Sequence, residues 1–212
     1  MENDKILSSL YPFLDKNNIA SPNLLESLNK KVEDSINVKQ SFFQNNADKL
    51  IQAAQIIAKS YQQGGHLYAM GNGGSSCDAA HVTTEFMHPI TTGRKALAAT
   101  NLTADIATMT GISNDVGLDH VFLRQLICVA RKNDVLIGFS TSGNSKNLIL
   151  AFAQAKEMGL STIGFSGQTG GEMAKSDAVD LCLTVETDSV HRVQESHLTS
   201  YHILWDLVHS LL

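Results

Sequence analysis

His81 and Glu85 stand four residues apart, with Asp78 three before His81, in a stretch whose pattern reads as helix. Residues at i and i+4 share a helical face one turn apart, so an imidazole and a carboxylate project together. Such a pair is a candidate for chemistry only where its surroundings make it more than a contact. An isolated histidine–glutamate pair on a helix is ordinarily a surface contact, but the setting of this one is unusual. The helix leaves the loop Met70-Gly71-Asn72-Gly73-Gly74-Ser75-Ser76. Three glycines allow a close backbone approach and positive φ, and the helix start offers free N–H groups at the positive end of its dipole. A second loop, Ser140-Thr141-Ser142-Gly143-Asn144-Ser145, crowds hydroxyls and turn amides at another helix start. Either loop alone is equally a tight turn with an N-cap. Two of them after two strands point to an anionic ligand such as a phosphate.

Gly71-x-Gly73 also begins like a dinucleotide fingerprint. Ser76 occupies the third glycine position, and the next strand candidate runs into Thr100-Asn101-Leu102 without an acidic residue. The nicotinamide reading fails on both counts. Gln194, His197 and His202 form a polar series within an amphipathic C-terminal stretch. Periodicity alone makes this series a solvated helix face and does not bring it to His81.

These groups need elements to position them. Helical periodicity runs from Asn23 to the stop at Gly64-Gly65, with Val32, Ile36 and Phe43 on one face and Leu50, Ala54, Ile57 and Tyr61 on one face. Short apolar runs predict strands at 66–70, 96–100, 134–139, 161–165 and 179–185. Helices are predicted near 76–88, 103–111, 119–131, from about 146 to the stop at Gly159, and over 191–212. Strands alternating with helices, most of the strands near-continuously apolar, mean an α/β fold with a parallel sheet covered on both faces. Ligands in such folds sit at the carboxyl ends of the strands, where both loops fall. Residues 1–22, interrupted by Pro12 and Pro22, form an extension of unassigned role, and residues 23–212 read as one domain.

The chain of 212 residues is 43% hydrophobic and 17% charged, which excludes a disordered protein, and its net charge of -5 lacks the basic footprint of a nucleic-acid binder. Cys77, Cys128 and Cys182 are odd in number and widely spaced, the pattern of free thiols in a reducing compartment. The first residues are acidic where a secretion leader would be basic, and no apolar run approaches a membrane span. The expectation is a cytoplasmic protein without membrane or nucleic-acid partners.

Taken in order, four motifs resemble the phosphoheptose isomerases, a family of the sugar isomerase (SIS) domain superfamily. They are Gly71-Asn72-Gly73-Gly74-Ser75-Ser76-Cys77-Asp78-Ala79-Ala80-His81 followed by Glu85; Ser113-Asn114-Asp115; Ser140-Thr141-Ser142-Gly143-Asn144-Ser145; and Arg192-Val193-Gln194-Glu195 with His202 eight beyond the glutamine. The resemblance covers roughly residues 30–212. It implies a three-layer αβα sandwich around a five-stranded parallel sheet in flavodoxin-like order, behind a long N-terminal helix. It further implies interconversion of sedoheptulose 7-phosphate and D-glycero-D-manno-heptose 7-phosphate through an enediol, as the entry to heptose for bacterial lipopolysaccharide. A homotetramer with active sites at subunit contacts is implied as well, and a metal, usually zinc or else another divalent ion. Carried over by motif, Asn72, Gly73, Gly74, Asn114 and Asp115 line the sugar, while Ser140, Thr141, Ser142 and Ser145 hold the phosphate. His81, Glu85, Gln194 and His202 surround the metal, Glu85 and Gln194 also meet the substrate, and Glu85 and His202 form the acid–base pair.

Eight helical residues separate Gln194 from His202, about 12 Å along an axis, so one ion reaches both only through a break in the helix or from a second subunit. Many members of the family carry an arginine four positions after the glutamate, where this chain has Pro89. Either Arg94 reaches the same space or the change marks a subgroup with a different substrate preference. Non-catalytic relatives that bind a partner, such as a replication initiator, lack the glutamate and histidine that this chain has as Glu85 and His202. An isomerase of another phosphosugar and a sugar-phosphate-sensing module are the further alternatives.

Overall fold

The computed structural model describes residues 23–212; the N-terminal extension, residues 1–22, lies outside them. Ser35–Leu212 form one compact unit, and the described residues before Ser35 fall outside it. Helix α1 (Leu24–Gln62) begins before Ser35 and supplies its longer part to that unit. Within the larger unit follow β1 (Leu67–Gly71), α2 (Gly74–Met87), β2 (Ala99–Asn101), α3 (Ile106–Val116), a 3-10 turn at Leu118–His120, α4 (Val121–Val129), β3 (Val135–Ser140), α5 (Lys146–Glu157), β4 (Ser161–Gly167), a 3-10 turn at Met173–Lys175, β5 (Leu181–Val185) and α6 (Val190–Leu211).

The five strands form one parallel sheet in the order β2-β1-β3-β4-β5. This is the expected flavodoxin-like order. Chain direction across the sheet reverses between β1 and β3, which opens a crevice beyond their carboxyl ends.

Alternate strand residues feed two cores because successive strand side chains point to opposite faces. Val135, Ile137 and Phe139 of β3 join Ile57 of α1, Val82 and Phe86 of α2, and Tyr201 and Leu204 of α6. Leu136 joins Phe122 and Leu126 of α4 and Leu148 and Phe152 of α5 on the other face. Burying each large side chain removes apolar surface worth roughly 1.5–3 kcal/mol. Gly138 of β3 leaves room for the Phe152 ring, which a Cβ would strike.

The predicted elements are present with shifted ends. Asp134 starts no strand, because its carboxylate accepts from the backbone N–H groups of His66 (2.9 Å) and Arg131 (2.7 Å) and ties the entrances of β1 and β3 together. β2 shrinks to three residues, since Leu97 N–H donates to Phe86 O rather than to a strand. The helix expected over 119–131 breaks into the 3-10 turn and α4. Cys77, Cys128 and Cys182 are free thiols, and among the described residues no helix is long and apolar enough to cross a membrane.

Helix α6 is anchored to the sheet through His197, which is fully buried. Its ring lies 5.8 Å from that of Phe139 and 5.7 Å from that of Phe165, and its Nε2 donates to Ser166 O at 3.2 Å. Nδ1 has no hydrogen-bond partner among the described residues. Burial pushes this imidazole down to about 4. The unfolded chain therefore binds a proton here that the folded chain refuses between pH 4 and 6.5, and stability falls as the pH drops through that window. The shift corresponds to roughly 3 kcal/mol. Asp78, whose carboxyl is pushed up to about 7, works in the opposite sense over the same range, so the measurement is a difference: in urea titrations the stability of wild type relative to His197→Gln, which can still donate to Ser166 O but does not titrate, is expected to fall by roughly 3 kcal/mol between pH 7 and pH 4.

Candidate active site

The crevice at the β1/β3 switch point is built by two loops and one cross-link between them. Asn72 Nδ2 donates to Asn147 Oδ1 at 2.9 Å, and Asn147 Nδ2 donates back to Asn72 Oδ1 at 3.0 Å. This reciprocal amide pair joins the loop after β1 to the first turn of α5. Asn147 is buried and has no motif to mark it in the sequence.

Helix α2 starts at Gly74 behind Gly73, whose φ is 53° and which offers no side-chain cap. The first-turn amides of α2 therefore have no side-chain oxygen of the chain's own to accept from them there. Helix α5 has the same property. Ser145 occupies its N-cap position without capping it, and the Ser145 hydroxyl instead lies 2.9 Å from that of Ser140. Within this second loop Asn144 N–H donates to Ser142 Oγ (3.2 Å), and Asn144 Oδ1 accepts from Glu172 N–H (2.9 Å). Gly143 has φ 67° and passes so close to Gly170 O that a Cβ would collide with it. The loop after β4 thus clamps the loop after β3, and Ser140, Thr141, Ser142 and Ser145 are held around an uncapped helix start.

A second cluster sits where α2 and α6 run side by side. His81 Nε2 lies 3.0 Å from Glu85 Oε1 and 3.4 Å from His202 Nε2, and His202 Nε2 lies 4.0 Å from the same carboxylate oxygen. One ligand atom from each of the three residues falls within 4.8 Å of the others. Two imidazoles and a carboxylate at this spacing fit zinc or a similar divalent ion with coordination positions to spare. Two contacts hold the cluster in place. Tyr201 Oη is 2.9 Å from His81 Nδ1, and Trp205 Nε1 donates to Glu85 O at 2.8 Å. Burial raises the Tyr201 phenol above its ordinary value, with the carboxylates of Asp78 and Glu85 adding to the effect, so the group stays a neutral hydroxyl.

Between these two centres α2 and α6 border a cleft of about 460 Å³ lined by Gly74, Asp78, His81, His191, Gln194 and Tyr201 among others. Asp78 is buried, and its Oδ2 has no hydrogen-bond partner among the described residues. Burial pushes its carboxyl up to about 7. Gln194 packs its carboxamide against Gly74, where any side chain would collide with it. Glu195 on the next position is gripped by Ser35 Oγ and Arg192 Nη1, each at 2.5 Å.

The predicted residues therefore fall into groups. His81, Glu85 and His202 come together within one chain. Gln194 stands on the same helix, unbroken over Val190–Leu211, two turns or about 12 Å along the axis before His202. Asn114 and Asp115 stand exposed on the last turn of α3, bonded to each other at 2.9 Å, and α3 packs on the sheet face opposite α2 and α6. The side chain of Asn72 is engaged by Asn147. Pro89 follows the C-cap His88 and ends α2, since proline cannot continue a helix. Arg94 lies with its guanidinium carbon 5.8 Å from the Trp205 ring centroid and with Nη2 3.4 Å from Asp206 Oδ1, beside the Glu85 end of α2. Tyr201, Trp205 and Asn147 had no sequence signal beyond their place in a helix.

A doubly wound sheet with uncapped helix starts at its strand ends, beside a carboxylate and two imidazoles, is an α/β domain with a crevice at its switch point, and the family model described as "SIS domain" matches residues 32–167. A phosphoheptose isomerase from Thermodesulfovibrio yellowstonii is 37% identical over 187 residues, covering 88% of this chain and 92% of that protein. The structure of a phosphoheptose isomerase from Neisseria gonorrhoeae superposes with a TM-score of 0.82 at 36% identity, covering 89% of this chain and all of that one. One from Francisella tularensis superposes with a TM-score of 0.84 at 28% identity and the same coverage. The chain belongs to the phosphoheptose isomerase family of SIS-domain proteins.

The amide pair is expected to govern the crevice. Asn147→Leu keeps the branched shape and strands the Asn72 amide, which should cost about 1–3 kcal/mol. Thermal unfolding of the variant checks this; an unchanged midpoint would show that solvent replaces the bond at no cost.

Proposed function

We propose that the chain is an aldose–ketose isomerase that interconverts sedoheptulose 7-phosphate and D-glycero-D-manno-heptose 7-phosphate, the entry step of heptose biosynthesis for lipopolysaccharide or a related glycan. The observation that carries this reading is the Glu85–His202 pair, 4.0 Å apart and both beside His81. Isomerisation moves a proton between adjacent carbons and another between their oxygens. Glu85 removes the proton next to the carbonyl and returns it to the neighbouring carbon of the enediol. His202 carries the proton between the two oxygens. Each such group contributes about 10²–10⁴-fold.

His81, Glu85 and His202 would hold a divalent ion, most naturally zinc. When bound, it supplies Lewis acidity to a substrate oxygen. The hydroxyls of Ser140, Thr141, Ser142 and Ser145 and the first-turn amides of α5 take the phosphate, whose charge suits the helix end. Asn72, Gly73, Gly74, Gln194, Asn114 and Asp115 are assigned to the sugar, and residues 23–212 to the SIS domain.

Two features support a site shared between chains of a homo-oligomer, read here as a tetramer. Eleven residues of α2, about 16 Å, separate Gly74 at the crevice from Glu85. That span is longer than an extended seven-carbon phosphate, so a crevice and an acid–base pair from different subunits serve one substrate better. Helix α1 also exposes Leu24, Leu25, Leu28, Val32 and Ile36, an apolar series that a partner helix would bury. A cytoplasmic location is consistent with the free thiols.

Purified protein given sedoheptulose 7-phosphate is expected to form an aldose, followed by its anomeric proton signals. Glu85→Gln should lower turnover by about 10²–10⁴-fold with an unchanged circular dichroism spectrum; wild-type turnover in that variant removes Glu85 from the chemistry. Removal of divalent ions with a chelator should depress activity, and re-addition of zinc should restore it. Full activity in metal-free protein would strike the ion from the reading.

A further inference from the structure

Tyr201 is 1% exposed, and its ring stands edge-on to Phe139 of β3 at 5.9 Å and to His81 at 5.3 Å. Packing alone accounts for the ring. It does not account for the hydroxyl, which sits 2.9 Å from His81 Nδ1. The other ring nitrogen of His81, Nε2, faces Glu85 Oε1 at 3.0 Å. An ionised carboxylate only accepts hydrogen bonds, so the neutral His81 ring carries its proton on Nε2. Nδ1 is then a bare acceptor, and Tyr201 donates to it. An ion at the cluster changes these requirements. It needs the Nε2 lone pair, so the ring proton must sit on Nδ1, and the partner of Nδ1 must then accept. A phenolic oxygen does both by rotating its hydrogen. A backbone carbonyl or a carboxylate in its place would accept only and would lock one tautomer.

We propose that Tyr201 is the positioning residue of His81: its hydroxyl fixes the ring plane, aims Nε2 at Glu85 and His202, and serves both tautomers as an ion binds and leaves. The metal half of this assignment rests on reading His81, Glu85 and His202 as a divalent-ion site; the tautomer half does not. The helix pair supplies the rigidity. Tyr201 and His202 are neighbours on α6, so the backbone that presents the ligand His202 also presents the hydroxyl that orients His81. Hydrogen-bond partners of metal-bound histidines typically alter metal affinity 10–100-fold when removed.

The test uses Tyr201→Phe, which keeps the ring and deletes the hydroxyl. Nitrogen-15 NMR of histidine-labelled, metal-free protein at pH 8, with His81 assigned through His81→Gln, reads the tautomer directly. Wild type is expected to carry the proton on Nε2 and to move it to Nδ1 when zinc is added. Tyr201→Phe is expected to show a mixture of tautomers without metal and a zinc affinity about 10–100-fold weaker by calorimetry. Wild-type affinity together with the wild-type tautomer in Tyr201→Phe overturns the proposal. So does a metal-free wild-type protein with its His81 proton on Nδ1, a result that needs no folded variant. If neither protein binds zinc, the ion reading of the cluster falls, and the metal-free tautomers still decide whether Tyr201 orients the ring.

Discussion

The crevice depends on the double hydrogen bond between Asn72 and Asn147. Parallel strands β1 and β3 send their chains to opposite faces of the sheet, and nothing in the backbone ladder restrains what happens past their ends. Two carboxamides close the gap with both donors and both acceptors matched. An amide is suited to this because it offers each kind of group at one end of a planar unit. A pair of charges would either repel or carry a desolvation cost. Neither helix start beside the pair, Gly74 of α2 or Lys146 of α5, is capped by a side chain.

The cluster of His81, Glu85 and His202 depends on a different constraint, the side-by-side run of α2 and α6. Both helices leave carboxyl ends of strands and therefore point the same way, so residues at matching distances from their starts face one another. Gly74 meets Gln194, and Glu85 meets His202 and Trp205. The indole of Trp205 bonds the backbone oxygen of Glu85 rather than its side chain, which holds the last turn of α2 while leaving the carboxylate available. Arg94, lying over the same indole and beside Asp206, steadies this end of the helix pair after Pro89 has closed α2.

Much of this was legible in the sequence. Local pattern carries the layers of the fold: the alternation of apolar strands with helices and the glycine-rich and serine-rich turns reappear as a parallel sheet with both loops at one end. His81 and Glu85 were legible as a pair because they share a helical turn. The partners that hold them were not, because the contacts cross long stretches of chain. Asn147 lies 75 residues from Asn72, and Tyr201 lies 120 from His81. No periodicity encodes such a meeting, and a tyrosine on an apolar helix face looks like any other packed ring. The strand at Asp134 was misjudged by one residue for a similar reason, since its carboxylate serves two distant backbone donors.

The intact helix α6 has a mechanical meaning. Over Val190–Leu211 it is an unbroken rod with Gln194 beside the crevice and His202 beside His81 and Glu85. A rod cannot displace one station without the other. A pull on the Gln194 carboxamide is therefore passed, with little loss, to the imidazole two turns away, and no hinge or lid stands between the two stations.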